Sequence, residues 1–324
     1  SIESGTMIFD TSGAWLHSSG LRGKGSITTH YIENAGFRYG YSVCSFHFTN
    51  LYIGKNVDVE IRGENALEIK VDGNATIGSS MSLNGSTGQQ GIYSGKGGPG
   101  GWASGRGLRN TDGFSNLHNA LNGQGPGGGR GYEIGKSTGG GSYGGVGTGG
   151  LSGGVPGLVY GDDLISDLVG GSGGGHAIRG SGNAGGGGGA ISFVIGGSFV
   201  LDENGSVSAN GGAGTSHSDG SGAGGSGGAI RIEASSISNL GRIEAKGGNA
   251  IGAASLGGAG GGGRIALLSN GLIIEGDMNS SGGRNLSISH STYRENDLVA
   301  YWTLDDNSSS TTALNANGNT NLNG

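Results

Sequence analysis

The sequence predicts an all-β fold, a parallel β-helix or closely related β-solenoid carrying packed glycine-rich (polyglycine II-like) insertions. Three observations lead there. Strand-like runs recur at a nearly fixed pitch, apolar and polar residues alternate within them, and each run abuts a tract of glycine. The last feature is plain in "GGGGGAISFVI" (185–195), "GGSGGAIRIEA" (224–234) and "GGAGGGGRIALL" (257–268).

Composition frames the reading. Glycine supplies 81 of 324 residues, where ordinary usage of about 7% would give about 23. With only 3 Pro and no Gly-X-Y period, collagen is excluded. A hydrophobic share of 32% resembles that of disordered chains. The clustering of the apolar residues into alternating runs argues instead for a packed structure. No stretch shows a sustained 3.6-residue period, so no helix is expected.

Residues 1–45 read as N-terminal strands or a cap. Within "YSVCSFHFTN" (41–50) Cys44 alternates with large apolar residues, the pattern of a buried, inert thiol. As the one cysteine of the chain, it excludes an internal disulfide framework. Residues 46–297 read as the solenoid. Its first strands are Val57–Ile61 and Leu67–Val71, separated by the turn "RGEN".

The repeats come next. "GSVSANGG" (205–212), "GRIEAKGG" (241–248) and "GDMNSSGG" (276–283) share one form, and "SMSLNGS" (80–86) is an earlier copy. Val207, Ile243 and Met278 are spaced 36 and 35 residues apart, and Ile191, Ile230 and Ile265 are spaced 39 and 35. A unit so short cannot bury its apolar face alone, but stacked copies can. The expected inward row is therefore Ile191, Phe193, Val207, Ile230, Ile232, Ile243, Ile265, Leu267 and Met278, with Arg231 and Glu233 pointing outward. A β-sandwich is the alternative, kept open by the turn-like "DGN" (72–74) and "ENG" (203–205).

The longest glycine-rich stretch spans 86–190. Ordering glycine is entropically expensive, so many compensating backbone contacts are required. Extended helices with three residues per turn pack closely enough to supply N–H···O and Cα–H···O contacts. The tracts are thus expected to form a thin second layer against the strands.

The motif order "FHFTNLYIGKNVDVEIRGENALEIKVDGNATIGSSMSLNGS" (46–86), "GGPGGWASGRG", "LVYGDDLISDLVGGSGGG" and the ladder of glycine–strand junctions resembles a glycine-rich family of large secreted surface proteins of bacteria and microbial eukaryotes. The resemblance covers about residues 40–270. It implies an extracellular structural or adhesive molecule and brings no catalytic residues. "LVAYWTLDDNSSSTTALNANGNTNLNG" (298–324) resembles the opening of a laminin-G/concanavalin-like domain, too short to complete one. The stretch is read as such a start or as an assembly strand.

Other constellations carry less. "EIGKST" (133–138) lacks the glycine a phosphate-binding loop needs, because Arg130 stands there, and neither strand nor helix flanks it. Asp162, Asp163 and Asp167, with His176 and Arg179 nearby, have the residue types of a polysaccharide lyase or hydrolase. The plainer reading is a polar corner whose Leu164, Ile165 and Leu168 anchor the glycine layer. Asp305 and Asp306 fall short of the six to eight oxygens calcium takes, so no cofactor is expected and calcium is the one ion left open. Asn74, Asn84, Asn204, Asn279, Asn285 and Asn307 begin Asn-x-Ser/Thr sequons, acceptors for glycosylation in a secreted eukaryotic protein. Trp15, Trp102 and Trp302 read as packing anchors, with sugar stacking as the alternative.

A net charge of −6 and the absence of a basic cluster argue against nucleic acid. No apolar run is long enough to span a membrane as a helix. The chain opens at Ser1 without a signal-peptide pattern, the form of a mature or trimmed product. The expectation is a non-enzymatic, extracellular structural protein of a surface filament, coat or adhesin. Its expected partners are itself, other surface proteins or a glycan. A carbohydrate-active β-helix enzyme and an ice-binding protein are the alternatives.

Overall fold

The computed structural model describes residues 1–88, 94–106, 122–131, 137–150, 153–177, 183–217, 220–251, 257–286 and 302–303. Among these residues the chain is all-β and contains no helix. It begins with antiparallel strands. β1 (Ile2–Asp10), β2 (Ala14–His17) and β3 (Arg22–Lys24) form a meander. β4 (Ser26–Asn34) and β5 (Phe37–Phe48) form a hairpin whose nine residue pairs run without a bulge. Its tip is Ala35-Gly36, both at positive φ, as a two-residue hairpin turn of this kind requires. β5 runs through residues 45 and 46, so the cap and the repeat region share a strand.

From β5 onward every new pairing in the main body is parallel. β6 (Leu51–Arg62) lies parallel to β1. β7 (Ala66–Val71) and β8 (Ala75–Ile77) pair with β5 and β6, and β9 (Ser80–Ser82) starts a second sheet. After the long glycine-rich stretch comes β10 (Ala190–Leu201), whose first half pairs with β7 and whose second half pairs with β8. The register shifts between Ile195 and Ser198. Gly196 and Gly197 stand at this corner, where a Cβ would overlap the Asp72 carbonyl and the Asn74 amide.

The same passage then repeats. β11 (Ser206–Ser208) joins the second sheet, and β12 (Ser216–His217) and β13 (Gly220–Ser221) make a small antiparallel pair within the excursion. β14 (Ala229–Asn239), β15 (Arg242–Glu244) and β16 (Ala250–Ile251) follow, then β17 (Arg264–Ser269), β18 (Ile273–Ile274), β19 (Asp277–Asn279), β20 (Asn285–Leu286) and β21 (Trp302–Thr303). The result is a curled mixed sheet of 13 strands beside a 4-stranded parallel sheet, β9-β11-β15-β19.

Register explains the core. Cys44, Leu67, Ile191, Ile230 and Ile265 are successive partners, as are Phe46, Ile69, Phe193, Ile232 and Leu267. Ala75, Phe199, Ile237 and Ile273 form another column. Met81, Val207, Ile243 and Met278 form the column of the second sheet. These columns share one hydrophobic cluster, in which Met278 and Ile273 are partly buried. Parallel neighbours stand about 4.8 Å apart, so like residues stack on like. Each fully buried aliphatic side chain contributes roughly 1.5–3 kcal/mol relative to exposure.

The glycine tracts lie against this body and are bonded through their backbones. Six successive amides, Gly185 to Ala190, serve three neighbours in rotation. Gly185 and Gly188 donate to the carbonyls of Ala223 and Ser226, Gly186 and Gly189 to those of Ser86 and Leu83, and Gly187 and Ala190 to those of Trp102 and Pro99. The period is three. It recurs in the next tract, where Gly222, Gly225 and Gly228 donate to Thr215, Gly212 and Ala209, while Gly224 and Gly227 donate to Gly258 and Gly261. A relay of such bonds crosses the whole layer: Gly283 donates to Gly260, Gly260 to Gly248, Gly248 to Gly225, Gly225 to Gly212, Gly212 to Gly186, and Gly186 to Ser86.

No other residue fits these places. A Cβ at Gly225 would fall on the Gly186 carbonyl, and one at Gly260 on the Gly225 carbonyl. Most of the side chains admitted are small and wholly buried, among them Ala184, Ala223, Ala259, Ser172 and Ser226, with His176 and Asn183 as larger exceptions.

Candidate functional site

The acid-bearing segment 160–169 is the place where the sequence offers chemistry. It crosses the outer face of the first sheet and covers a second apolar cluster containing Val43, Ala66, Ala190, Ala229 and Ala266. Those alanines are the outward residues of successive strands, small enough to admit large side chains from above. Ile165, Leu168 and Val169 supply three, and Tyr143 and Tyr160 supply two more. The expected anchor therefore holds for Ile165 and Leu168. Leu164 departs from it and is exposed, because the turn at this point aims it away from the sheet.

That turn is built by Asp162. Its carboxylate accepts from the amides of Leu164 (2.9 Å) and Ser166 (3.2 Å), while its carbonyl accepts from the Ile165 amide. The arrangement holds Ile165 at φ 53, a left-handed conformation that a β-branched residue rarely takes and that costs of order 1–3 kcal/mol. Burial of its side chain among the tyrosines offsets the strain.

Each acid has a separate partner. Asp163 pairs with the Arg264 guanidinium. Asp167 accepts from the Tyr41 hydroxyl at 2.8 Å. Arg264 also donates to the Tyr160 carbonyl at 3.1 Å and lies 5.4 Å from the centre of the Tyr143 ring. The Tyr160 hydroxyl donates to the Gly170 carbonyl at 2.5 Å and stands 3.0 Å from the Ser172 hydroxyl, which in turn accepts from the Gly127 amide. Burial pushes the Tyr143 and Tyr160 hydroxyls well above the usual phenol range, and burial with the Asp167 contact does the same for Tyr41. These phenols stay protonated at any physiological pH. They bridge the strands, the loop and the glycine layer.

His176, expected beside the acids, lies wholly buried within the glycine layer. Its Nδ1 is 2.5 Å from the Ala177 carbonyl and its Nε2 is 3.0 Å from the Asn183 side-chain amide. Desolvation lowers its pKa below the ordinary histidine value, which favours the neutral ring, donating through one of its two nitrogens. Arg179 lies outside the described residues, as do Lys136, Asp305, Asp306 and Asn307. Cys44 is fully buried, and burial pushes its thiol up to about 11. It packs as a small apolar residue, with none of the thiolate character a nucleophile needs. Trp15 packs on Phe48 at 5.5 Å and Trp102 meets Tyr39 edge-on at 6.1 Å.

Of the described sequon asparagines, Asn74, Asn84 and Asn204 lie between strands, and Asn279 and Asn285 lie on β19 and β20. Asn74, Asn84 and Asn204 are exposed, and Asn279 and Asn285 are half-buried. Four of them are bonded: Asn84 Oδ1 accepts from the Asn210 amide at 2.7 Å, Asn74 Oδ1 from the Ser198 amide at 2.9 Å, Asn279 Oδ1 from the Ser281 amide at 2.9 Å and Asn285 Oδ1 from the Thr148 hydroxyl at 3.2 Å. Asn210 continues the ladder to the Lys246 amide at 2.7 Å. Side-chain amides thus tie one strand passage to the next where the backbone turns.

Among the described residues no group of three His, Cys, Asp or Glu is placed to hold a metal ion, and no helix is long and apolar enough to cross a membrane. The tyrosine–arginine cluster was not read from the sequence. Its one signal was lone tyrosines within glycine tracts, in "GSYGG" and "LVYGDD", where a large side chain needs a cavity elsewhere to enter. Comparison with protein-family models, with curated proteins and with solved structures gives no match to this chain.

Proposed function

We propose that the chain is a β-solenoid faced with a polyglycine II-like layer, and that it serves as an extracellular structural element of a surface filament, coat or adhesin. The observation that carries this reading is the rotation of successive glycine amides among three neighbouring segments. Three-residue periodicity with bonds in three directions is the packing of extended three-fold helices. A chain that commits so many peptide groups to such a lattice makes a stiff slab. Net stabilisation of about 0.5–1.5 kcal/mol per hydrogen bond accumulates over dozens of bonds.

The polar residues support the same reading. Asp163, Asp167 and Arg264 are engaged in tying the 160–169 segment to the strands, Asp162 closes the turn of that segment, and His176 contacts Ala177 and Asn183 within the glycine layer. Exposed Val146, Val155 and Leu158 stand on the glycine layer, giving apolar points for lateral contact with a second copy or another surface protein. The mechanism is mechanical: strands paired in parallel, a cross-bonded layer on one side, and outer side chains available for adhesion.

Electron microscopy of the purified protein and of native surface material tests this reading. Filaments or sheets with a regular self-contact are the expected result. Dispersed monomers that cleave acidic or neutral polysaccharides would overturn it in favour of the enzyme.

A further inference from the structure

Beside the second sheet a lysine and a side-chain amide share one carboxylate. Ser206–Ser208 of β11 pair in parallel register with Arg242–Glu244 of β15. Two residues farther along each passage come Asn210 and Lys246. The Lys246 amide donates to Asn210 Oδ1 at 2.7 Å, so the carboxamide lies against the Lys246 backbone. Glu244 faces both side chains. Its Oε1 accepts from Lys246 Nζ at 3.0 Å, and its Oε2 accepts from Asn210 Nδ2 at 3.3 Å. The Glu244 side chain is the more sheltered of the ion pair, 18% exposed against 38% for Lys246.

We propose that Lys246 and Asn210 become joined by an isopeptide bond, with Glu244 carrying the protons. The Lys246 ammonium gives one proton to Glu244 Oε1, and the free amine, a nucleophile once deprotonated, attacks Asn210 Cγ. Negative charge then gathers on Oδ1, where the Lys246 N–H already donates, an arrangement that stabilises a tetrahedral oxyanion. Glu244 returns its proton to Nδ2, the atom its second oxygen already touches. The Nζ–Cγ bond has formed and the Cγ–Nδ2 bond breaks. The remaining extra proton leaves the attacking nitrogen with the departing ammonia. The lysine ammonium and the carboxamide are consumed, an amide and one ammonium ion are produced, and no other reactant is needed. Because adjacent passages hold both partners in place, the step is intramolecular, which favours it strongly over the same reaction between free side chains.

Two details single out this place. Asn210 precedes Gly211, whose backbone nitrogen is the rival nucleophile for the same carboxamide. That amide donates to the Lys246 carbonyl at 2.7 Å, which keeps its proton engaged. Lys70 and Glu68 form a like ion pair on β7, but the residues beside Lys70 are His47 and Val194, neither of which carries a carboxamide. The bond would close a loop spanning 36 residues and keep two successive passages from peeling apart where the second sheet gives way to glycine. It does not depend on the filament reading.

Intact-mass spectrometry of the full chain, held at neutral pH until its mass is constant, tests the bond. The expected mass is lower than the sequence value by one ammonia, about 17 Da, with a proteolytic fragment pair joined through Asn210 and Lys246. Lys246→Arg and Glu244→Gln should each regain the full sequence mass, with the β-sheet circular dichroism unchanged. The full sequence mass in the unsubstituted chain overturns the proposal. So does a loss of ammonia that survives in Lys246→Arg, since it marks a succinimide at an Asn-Gly step. A loss that survives in Glu244→Gln but not in Lys246→Arg overturns the role given to Glu244.

Discussion

Ile230 sits between Ile191 and Ile265 and is held by its side chain. Gly225 sits between Gly212 and Gly248 and is held by its peptide group alone. The strand columns gain from apolar area removed from water, and they tolerate some change of shape because neighbouring side chains adjust. The glycine layer has few side chains to adjust, and none at Gly225 or its partners Gly212 and Gly248. Its close approach allows bonds in three directions, and the same closeness forbids a single added carbon. Removing atoms should therefore damage the first region, and adding them should damage the second.

Gly225→Val should have the largest effect. Its Cβ would fall on the Gly186 carbonyl, and backbone cannot turn aside as a side chain does. We expect a loss of about 4 kcal/mol or more, above the usual 1–3 kcal/mol of core overpacking, read from denaturant unfolding. A loss under about 1 kcal/mol would show the layer to be loosely held and would erase the contrast. Ile230→Ala, at a fully buried position in the column, should cost about 2–5 kcal/mol by the same measurement. A near-neutral result would mean that the columns do not form a continuous core.

Acid should weaken the glycine layer before the columns. Burial lowers the pKa of His176 below its ordinary 6.5, so the folded protein binds that proton less readily than the unfolded chain does. Its contribution is fully present above about pH 6.5 and is lost as pH falls below that value toward the depressed folded pKa. Unfolding measured from pH 7.5 to 4.5 should show this slope, and His176→Gln should flatten it. An unchanged slope in the variant would assign the effect to other groups. The smallest change is expected at the hairpin tip, where residue 35 follows Asn34, whose side chain donates to the Pro126 carbonyl. Ala35 has φ 50 and precedes Gly36, so Ala35→Asn, which favours that conformation, should add about 0.5 kcal/mol. A loss would mean that the turn is of another kind.

How much could be read beforehand follows from the same contrast. Side chains write a pattern, so the 35- to 39-residue spacing and the alternation of Ile230, Ile232 and Ala234 led directly to columns that the register displays. Met81, in the earlier copy, falls into register with Val207 as its motif suggests. Glycine writes none. That the tracts pack with a period of three followed from the physics of the residue, but nothing in "GGGGG" says that Gly186 faces Ser86 and Gly187 faces Trp102. The tyrosine–arginine cluster was equally silent. Tyr41, Tyr143, Tyr160 and Arg264 converge although Tyr41 and Arg264 stand 223 residues apart in sequence, and only the path of the chain brings them together.

The account stands most directly on amide hydrogen exchange along the glycine tracts. Residues 185–189, 222–228, 258–261 and 263 should exchange as slowly as the strand amides of 190–195 and 229–233, since both sets are hydrogen-bonded. Exchange of the tract amides at the rate of an unstructured peptide, with the strands still protected, would contradict it.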